Sequence, residues 1–592
     1  MQFINLPLFD RLPAEKPAHS LAEQTMPLSG ADLGTKVQTA LRAIKRLVLQ
    51  GKHLAVAWSG GKDSSVTLNL ALTALRELAV EGQPLPPLHV MHSDTRLENP
   101  VIHAYNKRQI ARIEQYSQTT GIPIRVWVAS PGLSNDYLVS LIGGRTIASV
   151  GNNAKCQQML KADPLDRAKR AIRNHISESL GRKCSKDEIV TLIGTRFDES
   201  VQRQRNMTKR GESAFEAVIS PGGSQEWILS PIAEFTAFDV FEYIGWVRSG
   251  KLECYDSFDQ LVEIYRDMNG GDCLVTAYIA GKEQNRPPCN ARTGCWACCR
   301  VSRDASAENM IATEGDKFAW LKPLNDLRNY LMARHFDPRA RCWLGRTVDE
   351  DTGKIAITPN AYSPAFTKEL LGIALTIQLD EQRAAERAGI EPRFILLNIQ
   401  QLIAIDLYWG RYGYQKPFTA IRTALEVYEQ GQRYDIPPLE SIPAYTEKDV
   451  AFRSEVPFRD DTYDAPFYGL RNIELAAADW EGTTTTRSGK LVSQVNTGDE
   501  FEVDEEGAAL FWSFELDYAL GRSHLDDAPA AVVHYFLTLG TVQLYKGTQG
   551  EWDRMLRVSN QIHRLQLQPI LHDPHALVER LRGQAQGQLS LF

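Results

Sequence analysis

The 592-residue chain has no run of uncharged apolar residues approaching the ~20 that a bilayer-spanning helix needs. Its first residues, Met1-Gln2-Phe3-Ile4-Asn5, lack the basic start and apolar core of a secretory signal. A cytoplasmic protein without membrane association is the expectation. Positive charge is not in excess either: 66 Lys and Arg against 73 Asp and Glu give a net charge of -7. That excludes wholesale coating of nucleic acid but leaves room for a local basic surface. One such excess runs from Lys155 to Arg210, where Lys155, Lys161, Arg167, Lys169, Arg170, Arg173, Arg203, Arg205, Lys209 and others outnumber the acids. Its bland alternative is a solvated helix face. Cysteine is scarce and odd in number, nine in all with none after Cys342, which argues against a disulfide framework. Four of the nine crowd between Cys289 and Cys299, a pattern that suggests metal or redox chemistry in a reducing compartment. Internal repeats are absent.

A chain of this length exceeds what one hydrophobic core can organise. Residues 1–32 read as an arm. The segment 33–250 alternates strands and helices, which predicts a doubly wound α/β domain with a parallel sheet. Its first strand is the short apolar run Leu54-Ala55-Val56-Ala57-Trp58, of the kind buried on both faces. Further strands are expected at Leu88–His92, Ile124–Val128 and Ile189–Thr195, and a helix between Asn99, as N-cap, and Gly121, as C-cap. Residues 251–350 are irregular and cysteine-rich, 351–436 read as helical, and 437–592 form a C-terminal region of unassigned fold.

Ser59-Gly60-Gly61-Lys62-Asp63-Ser64-Ser65 joins the first strand to its helix, where an α/β sheet binds phosphates. Glycines admit an anion close to the backbone, successive N–H groups form a nest, and Lys62 and the hydroxyls add donors. The spacing is not that of a Walker A loop. It is the motif of the PP-loop ATP pyrophosphatases, with their adenine nucleotide alpha hydrolase-like fold, and the chain resembles that family. The resemblance implies that Ser59 to Ser65 grip the pyrophosphate leaving group of ATP. Asp94, at the end of the second strand, could hold Mg²⁺ or position a nucleophile, with a turn or cap role as the alternative. Gly194-Thr195-Arg196-Phe197-Asp198-Glu199-Ser200, with Arg203, ends the fourth strand, so Arg196 and Arg203 could fork onto a phosphate or sulfate. They could equally pair with Asp198 and Glu199.

Lys155-Cys156-Gln157-Gln158-Met159-Leu160-Lys161 resembles the Cys-x-x-x-Leu-Lys element of the phosphoadenosyl-sulfate reductase branch. A thiolate at Cys156 can carry a persulfide, with a buried structural thiol as the alternative. Cys273, Cys289, Cys295 and Cys298 offer four thiolates of which only the last two form a C-x-x-C pair, a set that suits a [4Fe–4S] cluster better than structural zinc. Cys184, Cys254 and Cys342 read as structural.

Taken together, these motifs resemble the DndC proteins and their Ssp-system counterparts, from about Lys52 to Arg346, with Leu324-Asn325-Asp326-Leu327-Arg328 also fitting. One departure is Gln157, where relatives often have Thr. The resemblance implies ATP-dependent sulfur transfer to the DNA backbone, with ATP, Mg²⁺ and a [4Fe–4S] cluster as cofactors. Lys62, Asp63, Asp94, Arg196, Arg203 and Cys156 would be catalytic, Gly194 would line the nucleotide site, and Lys161 and Glu199 would join the arginines at the substrate phosphate. A cysteine desulfurase, other DNA phosphorothioation proteins and DNA would be the partners. The competing expectations are a phosphoadenosine phosphosulfate reductase-type enzyme, a tRNA thiolase and a non-enzymatic nucleotide-sensing scaffold.

Overall fold

The structure is a computed structural model and describes residues 30–151, 153, 155–220, 225–270, 294–313, 316–439, 455–459, 469–470, 483–485, 491–493, 499–545 and 547–589. The chain forms two compact units, each assembled from separated stretches: 1–130, 161–295 and 305–319 in the first, 131–160, 296–304 and 320–592 in the second.

The first unit is an α/β layer structure. Helix α1 (Leu33–Leu49) starts on an Asp32 cap and leads to strand β1 (His53–Trp58). Helix α2 (Lys62–Val80), β2 (Leu88–Ser93), α3 (Pro100–Thr120) and β3 (Ile124–Ala129) follow. Asn99 caps α3 by accepting from the Val101 amide, and Gly121 ends it at φ 72°, in the left-handed region that favours glycine. Next come α4 (Asp163–Leu180), β4 (Ile189–Ile193), α5 (Val201–Arg210), β5 (Val218–Ile219) and β6 (Trp227–Leu229). Helices α6 (Ala237–Arg248) and α7 (Asp259–Met268) close the unit.

The sheet has the order β3-β2-β1-β4-β6-β5, parallel except for β5. Because β1 is followed in space by β2 on one side and β4 on the other, the strand order reverses between β1 and β4. That reversal opens the crevice in which such sheets hold ligands, at the carboxyl ends of the strands. The expected doubly wound sheet is therefore present, and the SGGKDS loop lies at its switch point.

The second unit pairs an antiparallel ribbon, β7 (Arg341–Val348), β8 (Lys354–Tyr362) and β9 (Glu455–Pro457), with helices Pro364–Ala388, Ile399–Tyr412 and Thr419–Tyr428. Helix Ile399–Tyr412 is buried along nearly its whole length, as its run of Leu, Ile, Ala, Tyr and Trp requires. Its Asp406 is buried and accepts from the amides of Ala420 (2.9 Å) and Ile421 (3.2 Å), so it caps helix Thr419–Tyr428 from a neighbouring element.

The stretch after β3 belongs to this unit. Tyr408 donates to the Ser134 carbonyl (2.8 Å) and Trp409 to that of Ile142 (2.8 Å). The acidic stretch from Asp499 begins buried. Asp499 accepts from Ser134 and Asn135, while Glu500 sits between Arg145 (2.8 Å) and the guanidinium of Arg411. Among the described residues no helix is long and apolar enough to cross a membrane.

Candidate functional site

The loop after β1 is shaped by two glycines with different duties. Gly60 has φ +75°, and a Cβ there would stand 1.7 Å from Oδ1 of Asn106. Gly61 has an ordinary φ of -76° and serves as N-cap of α2, with 3.4 Å of room to the Tyr265 hydroxyl. At the start of α2 the Lys62 amide donates to the Tyr265 hydroxyl (3.4 Å), and the helix dipole there favours an anion. Ser64 braces the loop: its Oγ accepts from the Ser59 amide (3.2 Å) and donates to the Gly61 carbonyl (3.0 Å). Ser65 is buried and accepts from the Trp58 indole (3.3 Å), a packing role.

Lys62 is buried, with Nζ 3.0 Å from Asp63 Oδ2 and 5.4 Å from the Tyr265 ring centroid. Burial works against its charge, but the Tyr265 hydroxyl and Asp63 outweigh this and hold the ammonium above its usual range. Asp63 Oδ1 accepts from Arg196 Nε at 2.6 Å. Arg196, from the end of β4, is 3% exposed, and its Nη1 is buried without a hydrogen-bond partner, 3.6 Å from Asp198. Gly194 lets β4 come this close, since a Cβ would meet the Asp63 carbonyl and Ser64 amide at 3.0 Å. The structure thus brings Lys62, Asp63, Gly194 and Arg196 into one cluster around the start of α2. Arg203 instead pairs with Glu199 on the exposed side of α5, so in this structure those two satisfy each other.

Asp94 ends β2 beside the loop. It accepts from the Arg96 amide (2.9 Å) and groups with Glu98 and His103, their ligand atoms lying within 4.8 Å of one another. The two carboxylates suit Mg²⁺, which prefers oxygen donors, while the imidazole extends the set toward softer divalent ions. Cys295 reaches the same strand end: it bridges Glu98 in the backbone and places Sγ 3.9 Å from Thr95 Oγ1. Lys161 is exposed.

Cys156 lies in the second unit, half-buried on the helical turn Lys155–Gln157, which runs into a wide π turn at Gln158–Ala162. Cys298 is half-buried there and its carbonyl accepts from Arg328 (2.9 Å), whose other donors reach the carbonyls of Val301 and Ser302. Neighbouring Cys299 is buried, and burial pushes its thiol up to about 12 although Arg328 pulls the other way. It is a protonated thiol near neutrality. Cys184, Cys254 and Cys342 are likewise raised by burial, in keeping with structural thiols. Cys273 and Cys289 lie outside the described residues, so the proposed four-thiolate set has two members placed, Cys295 and Cys298.

Asn106, Tyr265, His103 and Glu212 complete the site without any sequence signal. Glu212 is buried and accepts from Thr195 (3.0 Å) and Ser230 (2.8 Å), fixing the β4 end that carries Arg196.

Residues 53–253 match the phosphoadenosine phosphosulfate reductase domain, so this segment is a PAPS reductase-like domain of the PP-loop superfamily. The chain is 24% identical to sulfate adenylyltransferase subunit 2 of Xylella fastidiosa strain Temecula1 over 203 residues, 34% of this chain and 59% of that protein. It is 24% identical to the same subunit of strain 9a5c over 207 residues, 35% of this chain and 60% of that protein. The alignment thus spans less than two thirds of either relative. Among solved structures, the U34-tRNA thiolase NcsA from Methanococcus maripaludis with its [4Fe-4S] cluster aligns with 42% of this chain and 77% of its own, at 15% identity and a TM-score of 0.23. Candida glabrata FMN adenylyltransferase in complex with FMN and an ATP analogue aligns with 38% and 62%, at 12% identity and a TM-score of 0.22. Scores this low bear no functional weight.

Proposed function

We propose that this protein transfers sulfur to a phosphate of the DNA backbone at the expense of ATP. The observation that carries the nucleotide half is Arg196: a buried guanidinium anchored on Asp63 at the start of α2, whose Nη1 makes no hydrogen bond and has only Asp198 near it, at 3.6 Å. Such a donor set is matched to an oxyanion. Lys62 and the α2 amides hold the β and γ phosphates and stabilise the charge that grows on them as they depart. Asp94 and Glu98 would hold Mg²⁺, which would neutralise phosphate charge.

A non-bridging oxygen of the DNA phosphate attacks the α phosphorus of ATP, pyrophosphate leaves, and the DNA phosphate becomes a mixed anhydride with AMP. A phosphodiester oxygen is a poor leaving group and AMP a good one, which is what adenylylation accomplishes. The terminal sulfur of a Cys156 persulfide, loaded by a cysteine desulfurase, then displaces AMP. A second thiolate cleaves the resulting S–S bond, leaving a disulfide on the carrier side and a phosphorothioate in the DNA. The four cysteines Cys273, Cys289, Cys295 and Cys298 would ligate the [4Fe–4S] cluster, and other DNA phosphorothioation proteins would bring the substrate.

Mass spectrometry of digested host DNA tests this. With the pathway present, wild-type protein yields phosphorothioate dinucleotides, whereas Cys156→Ser yields none while still binding ATP, because a hydroxyl cannot hold a persulfide. Normal sulfur content with Cys156→Ser would place the carrier elsewhere. No phosphorothioate with the wild type would reject the DNA reading itself.

A further inference from the structure

Helix α5 buries one residue of its ten, Met207, which packs with Ala214 and Ala233. Its sequence, Val201-Gln202-Arg203-Gln204-Arg205-Asn206-Met207-Thr208-Lys209-Arg210, holds four basic residues and no acid, in a chain of net charge -7. Arg203 and Arg210 flank the buried side and are neutralised, by Glu199 and by Glu212 (2.5 Å). Arg205 and Lys209 differ. Each stands two residues from Met207, about 200° round a helix of 3.6 residues per turn, so both point away from the core. They are exposed, they lie one turn apart on the same face, and neither has an ion-pair or hydrogen-bond partner among the described residues. Like charges at this spacing destabilise a helix by a few tenths of a kcal/mol. An all-polar exposed helix is itself a weak one. The outer face of α5 thus presents two cations with no counter-charge among the described residues.

We propose that the outer face of α5, built on Arg205 and Lys209 with Gln202 beside them, docks the phosphate backbone of a nucleic acid. The charge fits a polyanion. A membrane surface does not fit, because a helix that binds lipid needs an exposed apolar face, and Val201 in the first turn is the one exposed large apolar side chain of α5, Met207 being turned inward. Position also fits: α5 begins at the β4 end that supplies Arg196 to Asp63, so a polymer lying along α5 passes the nucleotide loop. The choice of DNA over RNA rests on the function proposed above; the surface itself does not.

The experiment is fluorescence anisotropy of the full chain with a labelled mixed-sequence DNA duplex, the corresponding single strand, a transfer RNA and phosphatidylserine vesicles, from about 50 to about 200 mM salt. Arg205→Gln with Lys209→Gln removes two phosphate contacts. Duplex binding should weaken about tenfold, and the slope of log affinity against log salt should fall by about 1.8, at 0.9 per contact. Arg108→Gln, an exposed charge on α3, should change neither, and ATP binding in the absence of nucleic acid should be wild-type in both proteins. An unchanged slope in the double variant overturns the proposal, as does absence of nucleic-acid binding by the wild type, or variant-sensitive binding to vesicles alone. Variant-sensitive binding confined to transfer RNA supports the surface while counting against the DNA reading, which the dinucleotide assay decides separately.

Discussion

Gly60 and Gly61 are adjacent in sequence, yet only Gly60 occupies left-handed backbone, with Asn106 filling the space a Cβ would take. Gly60→Ala should therefore cost at least about 1 kcal/mol in backbone strain and displace the loop. ATP cleavage should fall below a tenth of wild type, followed as pyrophosphate release. Gly61→Ala meets no contact closer than 3.4 Å and should keep wild-type thermal stability. Equal destabilisation by the two changes would mean that the Asn106 contact does not shape the loop. A second residue pair makes a similar point about individuality. Arg196 and Arg203 look alike in the sequence, but Arg196 is buried against Asp63 while Arg203 spends its charge on Glu199 at the surface.

At the scale of elements, Asp406 shows how one helix can be tied to the next. Burial raises its carboxyl from 3.8 to about 7, although the Ala420 and Ile421 amides favour the anion. The folded chain thus holds the proton more tightly than the unfolded chain, and the stability this confers is complete below about pH 4 and lost as pH rises toward 7. Asp406→Asn keeps an acceptor for the amides and removes the titration. Urea midpoints for the variant should lose the part of the decline between pH 4 and 7 that the wild type owes to this group; parallel profiles would refute the assignment.

The strands and helices of the sheet were legible because their signals are local. The apolar run Leu54–Trp58, the Asn99-Pro100 start and the Gly121 stop each have a short-range cause. The loop's position at the switch point followed from the same alternation. Asn106, Tyr265 and Glu212 were not legible, because each reaches the site through tertiary packing and carries no spacing of its own. The acidic stretch after Asp499 misleads in the opposite direction: its charges suggest solvent, but Asp499 is buried and Glu500 half-buried on partners more than 350 residues away in the case of Ser134, Asn135 and Arg145.

On the scale of the whole molecule, that acidic turn binds the second unit's scattered stretches together. Glu500 neutralises two guanidinia, Arg145 and the 2%-exposed Arg411, and the same Arg145 donates to the Asn135 side chain (3.0 Å) and approaches Met159 Sδ (3.7 Å), three residues past Cys156. Glu500→Ala leaves Arg145 without its carboxylate, while Arg411 keeps Glu551 (2.7 Å), and should destabilise the unit by about 1–3 kcal/mol, read from the urea midpoint. A midpoint within experimental error of wild type would show that solvent or another group compensates them.

The interleaving of the two units has a consequence for how the chain is made. A ribosome delivers residues 131–160 long before residues 320–592, with which they pack, and residues 305–319 of the first unit emerge only after the chain has departed to the second and returned. At roughly 5–20 residues per second, the nascent stretch around Cys156 waits many seconds for its partners. Neither unit can be excised as one contiguous gene fragment: cutting at 53–253, the limits of the matched domain, removes α1 and the 305–319 stretch and strands the 131–160 excursion.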